Sequence, residues 1–512
     1  MIGLQLTINA DRDPGATALV YGTRRYSYTA LNERSCRLAN ALTSLGVGRG
    51  DHVAGLMNNC SQFIEVFFAL AKLGGVFVPL NFRLAPREIR QLLNDCCPKL
   101  LFVGESVAQA IAELTQAEPL LPQLILVPDR ADSAPETDDG SYEVLLRSHS
   151  AEEPDVAVAR EDLQLLLYSS GTTGRPKGAL WTHGTTLASS TAKIIDFEIG
   201  RGDVSVVFGP LFHVGPLMDL AVPQLLRGGR LVIGATTGFD PATLMRTVAD
   251  ERATLVSVYP TMWRRLLALS DLDAYDCSTL RLLFTGGEPI SISLLREIYA
   301  RFPSVGFVNT YGSTEGGPIT TFLPAQDRQR KIGSVGKPAF SVDVRLADET
   351  EMPVPVGTVG ELLVRSPFVC SGYWNRSADP MPYRPGAWWH TGDMAWRDDE
   401  GFIWIAGRKK DMIISGAENI YPVEIEQVIA ELEGVVDVAV VGVPDAEWGE
   451  SVAAYVVSKD GSMLDASKII DHCRRNLASY KKPRHIFFVE GLPRTTVNKV
   501  SKDKLREQFS QK

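Results

Sequence analysis

The stretch Tyr168-Ser-Ser-Gly-Thr-Thr-Gly-Arg-Pro-Lys-Gly178 constrains this chain most. An apolar run, Leu163 to Leu167, leads into it and reads as a buried strand. Ser169 and Ser170 precede Gly171, Thr172 and Thr173 follow it, and Gly174 closes the turn. A loop of this kind bends tightly and offers backbone N–H and hydroxyl donors to phosphate oxygens. Lys177 adds a cation beside it. The Walker A spacing is absent, so a P-loop of that type is excluded. The competing interpretation is a plain surface turn rich in Ser, Thr and Gly. The ordered run of small and hydroxyl residues, followed by Pro-Lys-Gly, favours the phosphate loop.

With 512 residues the chain is long enough for two or more domains and a large core. Its formal net charge of −9 argues against a general nucleic-acid-binding surface. Any anionic ligand therefore needs a local basic cluster. The 7 cysteines form no C-x-x-C pair and the 7 histidines no H-x-x-x-H pattern, so neither a disulfide framework nor a zinc site is expected. Residues Met1–Asp11 lack a basic n-region and a long apolar core, so no signal peptide is expected, and no run is long enough to suggest a membrane-spanning helix. A cytoplasmic protein is expected.

Residues 15–103 alternate strand and helix patterns. Ala18–Tyr21 and Arg25–Tyr28 flank a hairpin turn, and Thr29 is expected to cap a helix from Ala30 to Leu45. Val53–Met57 and Val76–Leu80 read as strands around a helix from Ser61 to Leu73. This order predicts a parallel, doubly wound α/β sheet. The acidic stretch 131–156 reads as a loop. A second α/β unit is expected over about 163–323, then a small β-rich subdomain over 333–406. Pro422 opens a further helix, and the remainder alternates strand and helix as a small α+β domain. The predicted organisation is an N-terminal domain over 1–407, a hinge at 408–411 and a mobile C-terminal domain over 412–512.

Five further segments accompany the loop: Thr285-Gly-Gly-Glu-Pro289, Asn309-Thr-Tyr-Gly-Ser-Thr-Glu-Gly-Gly317, Thr391-Gly-Asp393, Gly407-Arg408 and Pro493-Arg-Thr-Thr-Val-Asn-Lys499. In order and spacing, over nearly the whole chain, the set resembles the adenylate-forming superfamily of acyl-CoA synthetases, peptide-synthetase adenylation domains and luciferases. That resemblance implies ATP, Mg2+ and coenzyme A as partners of a small carboxylic acid. A carboxylate is a poor acyl donor until attack on the α-phosphorus of ATP turns it into an acyl-adenylate. That step brings an anion to a polyanion and needs positive charge nearby.

The resemblance implies a role for each matched residue. Lys499 would bridge the incoming carboxylate and the α-phosphate, although Asn498 stands where the family often has Gly. Glu315 would hold the magnesium ion and Thr314 the α-phosphate. Tyr311 would stack on adenine and Asn309 meet its amino group, with Gly286, Gly287, Glu288 and Gly312 supplying close backbone. Asp393 and Arg408 would reach the ribose. His213 would gate the path of the second nucleophile. Lys410 matches the hinge, and Ser415, Gly416 and Ala417 the pantetheine tunnel, Ala417 replacing a Gly. Trp448, Tyr480 and Lys481, with Lys482 and Arg484, would meet the nucleotide of coenzyme A.

The acyl pocket is expected from residues 212–219, 258–262, 284 and 316–320, among them Phe212, Val214, Gly215, Tyr259, Phe284, Gly316 and Gly317. No Arg or Lys falls among them, which argues against a second carboxylate on the acid. Asp219 is the odd residue: an acceptor for a donor at the acid's far end, or a helix-terminal or inter-domain carboxylate. An aromatic or medium aliphatic acid is expected. An amine as final acceptor is the rival to coenzyme A; a non-catalytic nucleotide-binding regulator and a carrier-protein loader are further alternatives. A homodimer is left open.

Overall fold

A computed structural model of the chain describes every residue except 110, 112–121, 130–140, 170–175, 377–386, 416–417, 446, 460–461, 496–498 and 511–512. The apolar runs form strands buried on both faces. His52–Leu56, Val76–Pro79 and Leu100–Gly104 are wholly buried, as parallel strands covered on both sides require. A 6-stranded sheet runs Gln123–Val127, Leu100–Gly104, His52–Leu56, Val76–Pro79, Leu163–Ser169, Lys177–Thr182. A 9-stranded sheet runs Lys337–Pro338, Gly317–Leu323, Gly306–Ser313, Leu282–Gly286, Leu255–Ser257, Val204–Val207, Arg230–Ile233, Thr17–Tyr21, Arg24–Ser27.

The two α/β units are therefore interleaved, where the sequence order suggests one after the other. The N-terminal hairpin joins the second unit, with Leu19 opposite Leu231 in parallel register. Conversely Leu165 of the second unit pairs with Phe77 of the first. Apolar faces on both sheets leave sheet assignment to packing, and alternation along the chain cannot reveal it. Helix Ser61–Leu73 explains the result: it is buried along its whole length, and its Phe63, Phe67 and Phe68 belong to one core with residues of both sheets. It stops at Gly74, whose φ of +76° only a residue without Cβ adopts cheaply.

Other boundaries shift by local chemistry. The helix expected at Ala30–Leu45 spans Tyr28–Ser44, because the Ser27 hydroxyl, not Thr29, accepts from the Ala30 N–H at 3.1 Å. The expected loop 131–156 contains a helix, Ser141–Arg147, whose Tyr142 hydroxyl bonds the buried Glu65 at 2.7 Å. An unpredicted helix, Ile2–Arg12, lays Ile2 and Leu6 into the core.

The β-rich subdomain is a 4-stranded antiparallel sheet of Asp343–Ala347, Gly360–Arg365, Trp389–Arg397 and Ile403–Arg408. Beyond it a 5-stranded sheet is centred on the pair Val435–Asp445 and Gly449–Ser458. Helices Pro422–Ala430 and Ala466–Asn476 pack on one of its faces through Ile425, Ile429 and Ile469. Lys502–Ser510 packs through Leu505 in a separate cluster with Val441 and Tyr455.

Candidate active site

The hydroxyl–glycine residues Ser170, Gly171, Thr172, Thr173 and Gly174 lie outside the described residues, as do Gly416, Ala417 and Asn498. The stems of the loop are described. Ser169 ends one strand opposite Lys177, which begins the next. The Ser169 hydroxyl donates to Glu315 Oε1 at 2.8 Å, and the Tyr373 hydroxyl donates to the same oxygen at 3.3 Å. The Lys177 ammonium lies 4.9 Å from the Tyr373 ring centre. Trp181 Nε1 donates to the Thr314 carbonyl at 3.0 Å. The loop stems and the Thr314-Glu315 segment are thus tied together across two sheets. Glu315 Oε2 accepts no hydrogen bond among the described residues, so this carboxylate retains an oxygen for a hard cation such as Mg2+.

Strand Gly306–Ser313 carries Asn309 and Tyr311 to its C-terminal end, where open α/β sheets bind ligands. The Tyr311 hydroxyl donates to Asp393 Oδ2, and Arg408 Nε contacts Asp393 Oδ1 at 2.6 Å. Asp393 and Arg408 face each other in register on adjacent strands. Burial raises the Asp393 pKa, while Arg408 and the Tyr311 hydroxyl oppose that shift. Each Asp393 oxygen keeps lone-pair capacity for a further donor. The Asn309 amide donates to the Ser334 carbonyl at 3.2 Å, leaving its Oδ1 as an acceptor for an amino group. Gly286 abuts Thr310, and Gly287 turns at φ +79° before Glu288. At Gly312 a Cβ would fall 2.3 Å from the Gly317 and Pro318 carbonyl oxygens, so the strand pair closes only around glycine.

Lys499 reaches this cleft from the C-terminal sheet. Its turn is closed by the Thr495 N–H on the Lys499 carbonyl at 2.7 Å and by the Lys499 N–H on Thr495 Oγ1 at 3.2 Å. The residue is exposed, yet Arg408, Glu288, Asp393 and Glu315 all act on its charge. Desolvation in the cleft, then Arg408, lowers its pKa, while Glu288, Asp393 and Glu315 raise it. Burial, with Arg83 and Lys499 nearby, drives the His213 pKa down to about 3. Residues far apart in sequence therefore converge: Lys499, Glu288, Glu315, Asp393, Arg408 and His213 share one electrostatic neighbourhood. Arg264 Nη1 donates to the Val436 carbonyl at 2.9 Å, a further link between the two parts.

Lys410 lies in the short turn Lys409–Asp411. Its neighbours are anchored on opposite sides: Lys409 to Glu361 at 3.0 Å and Asp411 to Arg506 at 2.8 Å. Ser415 pairs with Glu418 and Gly449. Trp448 and Tyr480 are 37% and 45% exposed, and the Arg484 guanidinium lies 5.2 Å from the Trp448 ring centre. The expected basic cluster is weaker than its sequence suggests, because Lys481 is already bonded to Glu424 at 2.7 Å.

The expected acyl residues gather around the helical turns Val214–Pro216 and Leu217–Ala221. Phe212 meets Phe82 edge-on at 5.3 Å, and Phe284 meets Phe197 at 4.7 Å. Gly316 and Gly317 abut Trp389 and Phe368. Asp219 is a helix N-terminal carboxylate in the sense expected: it lies buried in the first turn of the wide helical segment Leu217–Ala221. A buried cation from outside those stretches acts on Asp219. Lys193, from helix His183–Asp196, is fully buried, donates to Ser189 Oγ at 2.5 Å, and lies 5.1 Å from the Phe368 ring centre. Burial pushes Asp219 up and Lys193 down, and each partly stabilises the other's charge. Sequence reasoning missed Lys193 because it sits one element away; the available signal was a lysine beside apolar residues in Thr-Ala-Lys-Ile-Ile195.

Comparison with known proteins agrees with this geometry. Residues 6–374 match the family model for AMP-binding enzyme, and 424–499 that for the AMP-binding enzyme C-terminal domain. The chain is 38% identical to a feruloyl-CoA synthase of Amycolatopsis over 504 residues, covering 98% of this chain and 97% of the relative. It is 38% identical to an indoleacetate–CoA ligase of Aromatoleum aromaticum over 505 residues, with 98% and 97% coverage. The crystal structure of the anthranilate CoA ligase AuaEII with anthranoyl-AMP aligns with a TM-score of 0.88 at 27% identity, covering 99% of this chain and 96% of that one. The chain belongs to the AMP-binding enzyme family, within the adenylate-forming superfamily of acyl- and aryl-CoA ligases.

Proposed function

We propose that this cleft joins a carboxylic acid to ATP as an acyl-adenylate and then transfers the acyl group to coenzyme A. In the first step a carboxylate oxygen forms a bond to the α-phosphorus, and the bond to the bridging oxygen breaks, releasing pyrophosphate. In the second the coenzyme A sulfur bonds the acyl carbon as a thiolate, its proton having passed to solvent or base. AMP leaves with the electrons of the broken C–O bond. The observation that carries this reading is that Lys499, from the C-terminal segment, lies within electrostatic reach of Glu288, Asp393 and Glu315.

Each residue takes a role that fits its surroundings. Lys499 steadies negative charge building between the carboxylate and the α-phosphate. Thr314 and the 169–177 loop hold phosphate oxygens. Glu315 would hold Mg2+, which supplies charge neutralisation to the phosphates when bound. Asp393 and Arg408 orient the ribose, and Tyr311 and Asn309 the base. His213 stays neutral near pH 7, because burial disfavours its imidazolium form. It therefore adds no charge where the thiol must arrive. The turn 408–411 separates 1–407 from 412–512 as a hinge, and its rotation withdraws Lys499 and admits Ser415 and its neighbours to the acyl group.

Aromatic side chains, Phe212, Tyr259 and Phe284, suit an aromatic or medium aliphatic acid. The Lys193 charge is countered by Asp219 and Asp196, so no net cation awaits a second carboxylate. Among the described residues no helix is long and apolar enough to cross a membrane. The test is ATP-dependent pyrophosphate release across a panel of acids, followed by product analysis with coenzyme A or an amine as acceptor. A thioester is expected; an amide as the only product would move the second step to the rival acceptor.

A further inference from the structure

Several buried polar side-chain atoms of this lobe lack a partner among the described residues, and two of them meet at one point. Asp219 Oδ1 and the Tyr259 hydroxyl are both buried with no hydrogen-bond partner among the described residues. Ser257 is near enough to perturb the Tyr259 hydroxyl but lies outside hydrogen-bond geometry. An unpaired buried acceptor and an unpaired buried donor each cost free energy, on the order of 1–3 kcal/mol, so a native site that keeps both calls for a reason.

Gly215 shows where they converge. A Cβ on Gly215 would lie 3.4 Å from Asp219 Oδ2 and 3.5 Å from the Tyr259 hydroxyl oxygen. The two residues thus flank one point, which any other amino acid would occupy. Gly215 and Asp219 are one helical turn apart and share a face. Asp219 lies a turn further than Gly215 from His213, which is coupled to Lys499 and marks the reacting end. The carboxylate is thus the wall of the niche farther along the chain from His213. Lys193 faces Asp219 through space but forms no direct ion pair with it, so the carboxylate remains free to accept.

We infer that Gly215, Asp219 and Tyr259 form a hydroxyl-recognition subsite, and that the preferred acid carries a hydroxyl group at the end remote from its carboxylate. That hydroxyl donates its proton to Asp219 and accepts from the Tyr259 hydroxyl. Both orphaned groups are then satisfied at once, which a purely apolar acid cannot do. A site built to bond a hydroxyl rejects the analogue lacking it far more strongly than an apolar slot rejects an extra methylene. The inference rests on the acid-activating function proposed above.

The experiment measures pyrophosphate release for matched acids with and without a distal hydroxyl: phenylpropenoic acids bearing a ring hydroxyl against the parent, and ω-hydroxy against plain medium-chain acids. In the unmodified enzyme at least one hydroxylated member is expected to exceed its parent in kcat/KM by more than about a hundredfold. Tyr259→Phe removes only the donor, and Gly215→Ala fills the niche at ordinary contact distance from both groups while leaving the carboxylate itself in place. Either variant is expected to bring the ratio close to unity, while a circular-dichroism melt confirms that each is folded. A wild-type ratio near unity in every pair, or a ratio unmoved in both folded variants, overturns the subsite alone. Absence of pyrophosphate release with every acid would instead overturn the acid-activating function, and the subsite with it.

Discussion

The proposed nucleotide end and the proposed acyl end of this cleft are built in opposite ways. At the nucleotide end the polar groups hold one another: Tyr311 and Arg408 on Asp393, and Ser169 and Tyr373 on Glu315. At the acyl end Asp219 Oδ1 and the Tyr259 hydroxyl have no hydrogen-bond partner among the described residues, and Lys193 bonds Ser189 and lies over the Phe368 ring. The first arrangement fixes side chains before any ligand arrives, which suits charge stabilisation that must cost no reorganisation. The second leaves groups unsatisfied until a ligand of matching chemistry enters, which suits selection. Generality of reaction and narrowness of substrate thus reside in separate sets of residues.

The comparison can be broken most forcefully at the acyl end. Lys193→Met removes the cation that faces buried Asp219 and is expected to lower unfolding free energy by about 3 kcal/mol in denaturant titration. Adding Asp219→Asn should recover part of that loss, and a second substitution that only adds to the damage would refute the coupling. At the nucleotide end Glu315→Gln keeps the shape and removes the charge. Pyrophosphate release should fall by about 10²–10³-fold, with the melting temperature little changed.

Acid titration probes both ends together. Burial depresses the folded-state pKa of His213 to about 3 and of His183 to about 4, against an ordinary 6.5. Below pH 6.5 the unfolded chain takes up protons that these imidazoles refuse in the fold. Stability is therefore expected to fall as the pH drops from about 6.5 to 4, by about 1.4 kcal/mol per pH unit for each imidazole. His213→Gln should flatten this slope by one proton; an unchanged slope would show that the ring is hydrated in the fold. The smallest effect is Tyr311→Phe, which removes one of the groups on Asp393. A severalfold rise in KM for ATP, with kcat nearly kept, corresponds to about 1 kcal/mol for one hydrogen bond.

The nucleotide end was legible in the sequence because its residues sit at strand ends in short motifs whose glycines and hydroxyls signal close backbone approach. Asn309, Tyr311, Glu315, Asp393 and Arg408 lie in or beside strands, each held by a hydrogen bond or ion pair. The acyl end was legible only in part. Asp219 stood out as a charge among apolar residues, but Lys193 comes from a helix whose inward face carries no motif. Sheet membership was hidden for a related reason. Strands such as Leu163–Ser169 and Arg230–Ile233 are apolar in both directions, so their neighbours are chosen by helix Ser61–Leu73 packing between the sheets. The β-rich subdomain and the C-terminal unit could be read because alternation, glycine turns and Pro422 mark their boundaries locally.

The account stands on Lys499 serving adenylation from a lobe that later moves away. Lys499→Ala should be assayed in both half-reactions, pyrophosphate release from acid and ATP, and thioester formation from supplied acyl-adenylate and coenzyme A. The account predicts a loss of about 10²–10³-fold or more in the first and near-normal rates in the second. Equal losses in both, or none in the first, would contradict it.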